Sequence, residues 1–218
     1  MVRPPVIRLL DLGLSDDFLK SMTFAQSLLS SLTVGSAPED VEYMHVRNLF
    51  LAARAMTLPA RLIHVMAHGT TSKSGQAGFE SDDHHYFFGL EDLATYLREQ
   101  GEGIEADGIF ADACGTADEA FIEGIRDALE GECTYIGATR TIDWRESTTF
   151  ASILYGSLLS WTGPGTSGPD WVETCAGRAI RAYAEAVGGP CPFTTTVLRP
   201  SHQASGAFRK STRGAGLG

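Results

Sequence analysis

The sequence predicts an α/β fold with a mainly parallel sheet covered on both faces, and three observations carry that prediction. Short apolar runs without polar alternation, RLIHVMAHG, GIFADA and TYIGAT, read as strands buried on both sides. Amphipathic segments at helical spacing alternate with them. A chain of 218 residues, 43% hydrophobic and 20% charged, suffices for one well-buried core and is short for two.

Taken in order, VIRLLDL, residues 6–12, is the first strand. An amphipathic helix follows on Phe18, Met22, Ala25, Leu29 and Leu32, with Ser15 or Asp16 as its cap. A second helix is expected from Asp40 to Met56, and Pro59 separates it from the strand of residues 61–69. Residues 79–90 are turn-rich and read as a surface hairpin or ordered loop, before a helix over about Glu91 to Gln100. Strand 108–113, helix Thr116–Leu129, strand 134–139 and helices 147–161 and 170–187 come next. Gly188, Gly189 and Pro190 stop the last helix, and a short strand near Thr194 to Leu198 completes the pattern.

Charge divides the chain into a body and a tail. Acidic residues outnumber basic ones 27 to 17, the last acidic residue is Glu185, and Arg199, Arg209, Lys210 and Arg213 follow it. An acidic body argues against electrostatic capture of nucleic acid or of an anionic membrane and favours basic partners. Ser147 to Pro169 carries no charge, but its glycines and prolines after Trp161 indicate a buried helix and a loop, not a membrane span. The four cysteines are not needed as staples in a chain this long, and MVRPPVIRLL has no signal-peptide pattern. Reduced thiols in the cytoplasm are the expectation.

In parallel sheets chemistry gathers beyond the carboxyl ends of the strands, and His68 and Cys114 stand at two such ends. Cys114 precedes Thr116-Ala117-Asp118-Glu119, a capping-box pattern that would set the thiol near a helix N-terminus, where thiolate is favoured and N–H groups can receive an oxyanion. Gly69 after His68 allows a sharp turn and close approach of a substrate backbone. On neighbouring strands, imidazole and thiol would face each other as acid/base and nucleophile. Either residue alone reads more simply as core.

IHVMAHG and GIFADACGT, with His68 and Cys114 46 residues apart, resemble the His-Gly and Ala-Cys motifs of caspase-like cysteine peptidases: caspases, metacaspases, paracaspases, separases and CHAT-domain proteins. YIGATRTIDWRESTTFASILYGSLLS is similar to the strand and helix after the nucleophile in CHAT-type domains, so the resemblance covers roughly residues 60–185 of what looks like a short CHAT-like or metacaspase-like bacterial domain. It implies a three-layer caspase-like sandwich of about six mainly parallel strands; with the charge division, the expected organisation is one peptidase domain over 1–198 and a flexible basic tail over 199–218. It implies His68 and Cys114 as the dyad, an oxyanion hole from the N–H groups of Gly69 and Cys114, and no metal or organic cofactor. Its implied partners are a polypeptide substrate and a regulatory or sensor protein, as in bacterial defence systems.

Asp112, two before the cysteine, departs from the glutamine of caspases and resembles the S1 aspartate of metacaspases and paracaspases, which favours Arg or Lys at P1. Strand alternation sets Asp112 and Cys114 on one side, and a carboxylate in an enclosed pocket binds guanidinium well. Asp143 is a weaker second S1 carboxylate and Asp16 or Asp17 weaker still, since each also fits a turn or a cap. Gly115-Thr116 replaces the Arg-Gly of many caspases, which bears on fine specificity more than on catalysis.

Other motifs read as structural. Asp82, Asp83, His84 and His85 are adjacent in a turn-rich stretch, a pattern usually solvated, although metacaspase relatives often use calcium. His64 and His68 are four apart, but Val65 stands where a zincin has glutamate. Gly163 to Gly168 matches GxGxxG but follows a helix and contains Pro164. Cys133, Cys175 and Cys191 lack metal spacing, and Cys175 lies on an apolar stripe. The expected function is a cysteine endopeptidase cleaving after Arg or Lys, with its own basic tail as a candidate substrate or occluding segment. The alternatives are a catalytically silent caspase-fold binding module, and a flavodoxin-like anion-binding domain that lacks a phosphate loop.

Overall fold

Alternating apolar strands and amphipathic helices assemble as the pattern predicts. The computed structural model describes residues 5–12, 41–81, 84–160 and 167–201. The helix expected on Phe18 to Leu32, Asp16, Asp17, Asp82 and Asp83, most of the GxGxxG match and the tail from residue 202 lie outside the described residues.

The central sheet has six strands: β1 (Ile7–Asp11), β2 (Val41–His45), β3 (Ala60–Met66), β7 (Ala106–Asp112), β8 (Cys133–Ala138) and β9 (Phe193–Leu198). Their order is β2-β1-β3-β7-β8-β9, parallel except for β9, which runs antiparallel to β8. A second, antiparallel sheet contains β4 (His68–Thr71), β5 (Ala77–Glu80) and β6 (Phe87–Gly89). The helices are α1 (Leu49–Thr57), α2 (Leu90–Gln100), α3 (Glu119–Ala128), α4 (Trp144–Ser160) and α5 (Pro169–Val187).

Strand alternation sends successive side chains into two cores. Ile63, Val65, Ile109 and Ala111 pack with Ala53 and Met56 of α1, Leu93 and Leu97 of α2 and Phe121 and Ile125 of α3. Leu62 and Phe110, one position out of step, join Phe150 and Leu154 of α4 and Val172, Cys175 and Ala179 of α5. The result is three layers, with the carboxyl ends of β1, β2, β3, β7 and β8 on one edge.

Three expectations are corrected. The helix expected from Asp40 to Met56 is the edge strand β2 followed by α1. Val41-Glu42-Tyr43-Met44-His45 pairs in register with β1, and the Asn48 side chain accepts from Leu51 N (2.8 Å), opening the helix there. The strand of residues 61–69 ends at Met66, and His68 and Gly69 belong to β4 of the second sheet, whose β5–β6 hairpin occupies the turn-rich stretch. The capping box on Thr116 does not form: α3 begins at Glu119 after Asp118. The Thr116 hydroxyl bonds instead to the carbonyls of Ala111 (2.9 Å) and Ala113 (3.0 Å) and accepts from Ala138 N (3.0 Å). It ties the end of β7 to the end of β8, and Cys114 lies in the turn ahead of the helix.

β9 returns the chain to the amino edge of the sheet. There Arg199 Nε pairs with Glu132 (3.0 Å) and the Ser201 hydroxyl donates to Asp127 (2.6 Å). No described helix is long and apolar enough to cross a membrane.

Candidate active site

His68 and Cys114 line one pocket at the carboxyl edge, with Asp112, Ile142, Asp143 and Ser147. Three segments meet there: the turn from β3 into β4, the turn after β7, and the connection from β8 to α4.

Contact between the first two is set by backbone. Ala67 N donates to Asp112 O (3.4 Å), and Gly69 lies so close to Cys114 that a Cβ on residue 69 would stand 2.1 Å from the Cys114 carbonyl oxygen. Only glycine fits that approach. Beyond the thiol, Gly115 has φ +66°, which reverses the chain, and its N–H donates to Arg140 O (3.3 Å).

The β4–β5 register orients the Gly69 amide. Ser72 N donates to Gln76 O (2.8 Å), so counting back along the ladder makes Thr70–Gly78 and His68–Glu80 the hydrogen-bonded pairs. Gly69 opposite Phe79 is then a non-hydrogen-bonded pair, and its N–H points away from β5.

The third segment is rigidly capped. Asp143 Oδ1 accepts from Arg145 N (2.8 Å) and Glu146 N (2.9 Å), while Glu146 Oε2 accepts from Asp143 N (3.1 Å). This is a reciprocal capping box at the start of α4. Arg140 holds Glu146 through both carboxylate oxygens (2.6 and 3.0 Å), which lowers the Glu146 carboxyl below its ordinary range. The anchored loop carries the Ile142 carbonyl to 3.8 Å from Cys114 Sγ. Asp143 therefore lines the pocket while one of its oxygens serves the helix.

Asp112 is only 2% exposed. Its Oδ2 takes the Ser147 hydroxyl and His64 Nε2 (3.1 Å), and Oδ1 has no hydrogen-bond partner among the described residues. His64 Nδ1 in turn meets the hydroxyl of Tyr155. Burial, and after it the Asp112 charge, push the Tyr155 phenol well up, so it keeps its proton. Sequence reasoning finds Asp112 and misses His64, Ser147 and Tyr155.

The other cysteines are of a different kind. Burial pushes the thiols of Cys133, Cys175 and Cys191 up, disfavouring thiolate in each. Cys175 packs in the α4–α5 core as the apolar stripe predicts. Among the described residues no group of three His, Cys, Asp or Glu side chains is placed to hold a metal ion, and His84 pairs with Glu80 (2.9 Å).

No protein-family model matches the sequence, and no curated protein matches it. Solved structures do resemble the fold. A secreted C11 cysteine protease from Bacteroides thetaiotaomicron, iotapain, superposes with TM-score 0.53 at 11% identity, over 80% of this chain and 62% of that one. A secreted C11 cysteine protease from the same organism, bound to an irreversible peptide inhibitor, gives TM-score 0.54 at 11% identity, over 84% of this chain and 60% of that one. The Arg-specific cysteine proteinase gingipain R gives 0.53 at 14% identity, over 88% of this chain and 46% of that one. The chain thus spans less than two thirds of the length of each. Its fold is the caspase-like α/β sandwich that the His-Gly and Ala-Cys blocks implied.

Proposed function

We propose that the chain is a cysteine endopeptidase that hydrolyses peptide bonds through Cys114 and His68, after arginine or lysine at P1. The observation that carries this reading is the seating of the His68-Gly69 turn against the Cys114 backbone, which gives imidazole and thiol a common pocket with a buried carboxylate in it. Structural neighbours that are cysteine proteases, one of them with a peptide inhibitor and one Arg-specific, support it.

In this reading the Cys114 thiolate bonds to the scissile carbonyl carbon and the carbonyl electrons move to oxygen. The N–H groups of Gly69 and Cys114 receive that oxyanion. Collapse re-forms the carbonyl and breaks the C–N bond as His68 gives its proton to the leaving amine. Water then loses a proton to His68, attacks the thioester and releases Cys114 as thiolate. Asp112 receives the P1 cation, and Asp143 adds charge at the rim.

Cys114→Ala and His68→Ala test the reading on a fluorogenic peptide with P1 arginine. Both variants are expected to lose at least about 10³-fold in kcat, as removal of a nucleophile or its base does. Wild-type rates in Cys114→Ala would overturn it.

A further inference from the structure

His64 is a buried polar group that the dyad chemistry does not use. It is 2% exposed in the middle of β3, on the face covered by α4, with its ring stacked on Phe110 (centroids 4.3 Å apart). Its neighbours in the strand are Ile63 and Val65, fully buried and apolar. An imidazole, a phenol and a carboxylate together are expensive to withdraw from water, and an apolar side chain at position 64 would close this core at lower cost. The arrangement calls for a use.

Its hydrogen bonds have a direction. Tyr155 keeps its phenolic proton, so its hydroxyl can donate to His64 Nδ1, and the tautomer with Nδ1 accepting carries its proton on Nε2. Nε2 then donates to Asp112 Oδ2 (3.1 Å), the same oxygen that takes the Ser147 hydroxyl. In that tautomer every bond runs toward the carboxylate. Donors crowd one oxygen, Oδ1 is left without a partner among the described residues, and Asp112 lines the pocket.

We propose that His64, oriented by Tyr155 and assisted by Ser147, is a positioning residue that holds the Asp112 carboxylate in a fixed orientation at the pocket, and thereby sets the pocket's preference for a cationic side chain. The inference rests on the assignment of Asp112 to the P1 pocket made above. It adds that selectivity resides in a relay crossing from α4 through β3 to β7, and not in Asp112 alone. Donors to one oxygen fix the carboxylate plane and stabilise its charge, so a guanidinium meets an anion already in place.

The test is steady-state kinetics of the full chain on two peptides that differ only in P1 arginine or citrulline, the neutral isostere. His64→Gln, Tyr155→Phe and Ser147→Ala are compared with wild type, Tyr155→Phe removing a single hydroxyl with little change of shape. The arginine-to-citrulline ratio of kcat/KM is expected to fall about tenfold in His64→Gln, the worth of one hydrogen bond to a charged group, and by less in the other two. The loss should appear in KM for the arginine peptide more than in kcat. A ratio unchanged in all three variants, even with lowered melting temperatures, overturns the positioning role and leaves Cys114-dependent cleavage standing. A wild-type chain that cleaves neither peptide overturns both readings.

Discussion

Gly69 and Cys114 touch through their backbones, with room for no side chain at residue 69: a Cβ there would stand 2.1 Å from the Cys114 carbonyl oxygen and 3.2 Å from its nitrogen. Gly69→Ala must therefore push the β3–β4 turn away from the turn that carries the thiol. It is expected to cost about 1–3 kcal/mol by denaturant titration and to abolish peptide cleavage. Gly156, in α4, is the control, since a Cβ on it would meet nothing within 4 Å. Gly156→Ala should stabilise the chain by about 1 kcal/mol through helix propensity alone.

The capping box separates two roles for Asp143. Asp143→Asn keeps a side-chain oxygen for the amides of Arg145 and Glu146. Stability by thermal melting should stay within about 0.5 kcal/mol of wild type, whereas Asp143→Ala should lose about 1 kcal/mol. If Asp143 lends charge to the pocket, the asparagine variant cleaves P1 arginine more slowly. An unchanged arginine rate assigns Asp143 to the cap alone.

Alkylation reads the thiols directly. Burial raises Cys133, Cys175 and Cys191, so at neutral pH each holds less thiolate than an ordinary cysteine. Limited iodoacetamide treatment followed by peptide mass mapping should find the first adduct on Cys114. A first adduct on Cys191 would contradict the assignment of the nucleophile.

Arg8 holds the far end of the fold. It is 3% exposed and donates to Glu42 (2.7 Å) and to the carbonyls of Ala55, Leu58 and Pro59 at the end of α1. Arg8→Met leaves the buried Ala55 carbonyl and the part-buried carbonyls of Leu58 and Pro59 without this donor and should lower stability by about 1–3 kcal/mol, measured by urea unfolding. Glu42→Gln, at a half-exposed partner, should cost about 1 kcal/mol or less.

The basic tail offers a concentration test. Ser201 is anchored at the amino edge of the sheet, about 20 Å of strand from the Cys114 edge. Arg209 lies eight residues further on, a reach of about 28 Å at full extension that exceeds this span, so cleavage there within one molecule is sterically open. Intact mass should fall in wild type and stay constant in Cys114→Ala, and a rate independent of protein concentration identifies cleavage within one molecule.

Much of the fold is legible in the sequence because parallel strands buried on both faces leave uninterrupted apolar runs, and chemistry at their ends stands out against them. His68, Cys114 and Asp112 are found that way, and they line one pocket. β2 escapes such a reading because it is an edge strand only partly buried, and its side chains blend into the amphipathic pattern of α1. The start of α3 escapes it because Thr116 spends its hydroxyl on Ala111 and on Ala138, 22 residues further along the chain, and not on the helix. His64 stands out in the sequence only as the residue four before His68, since its partners Asp112 and Tyr155 are 48 and 91 residues away and only the register of β3 with β7 and the packing of α4 bring them together.

The most direct test of Cys114-dependent cleavage after basic residues is a P1 profile of wild type, Cys114→Ala and Asp112→Asn on a random peptide library. Wild type is expected to cleave after arginine and lysine and Cys114→Ala not at all, while Asp112→Asn loses more at basic P1 residues than at neutral ones. Wild-type cleavage with no basic preference, or the same profile from Cys114→Ala, would contradict the assignment.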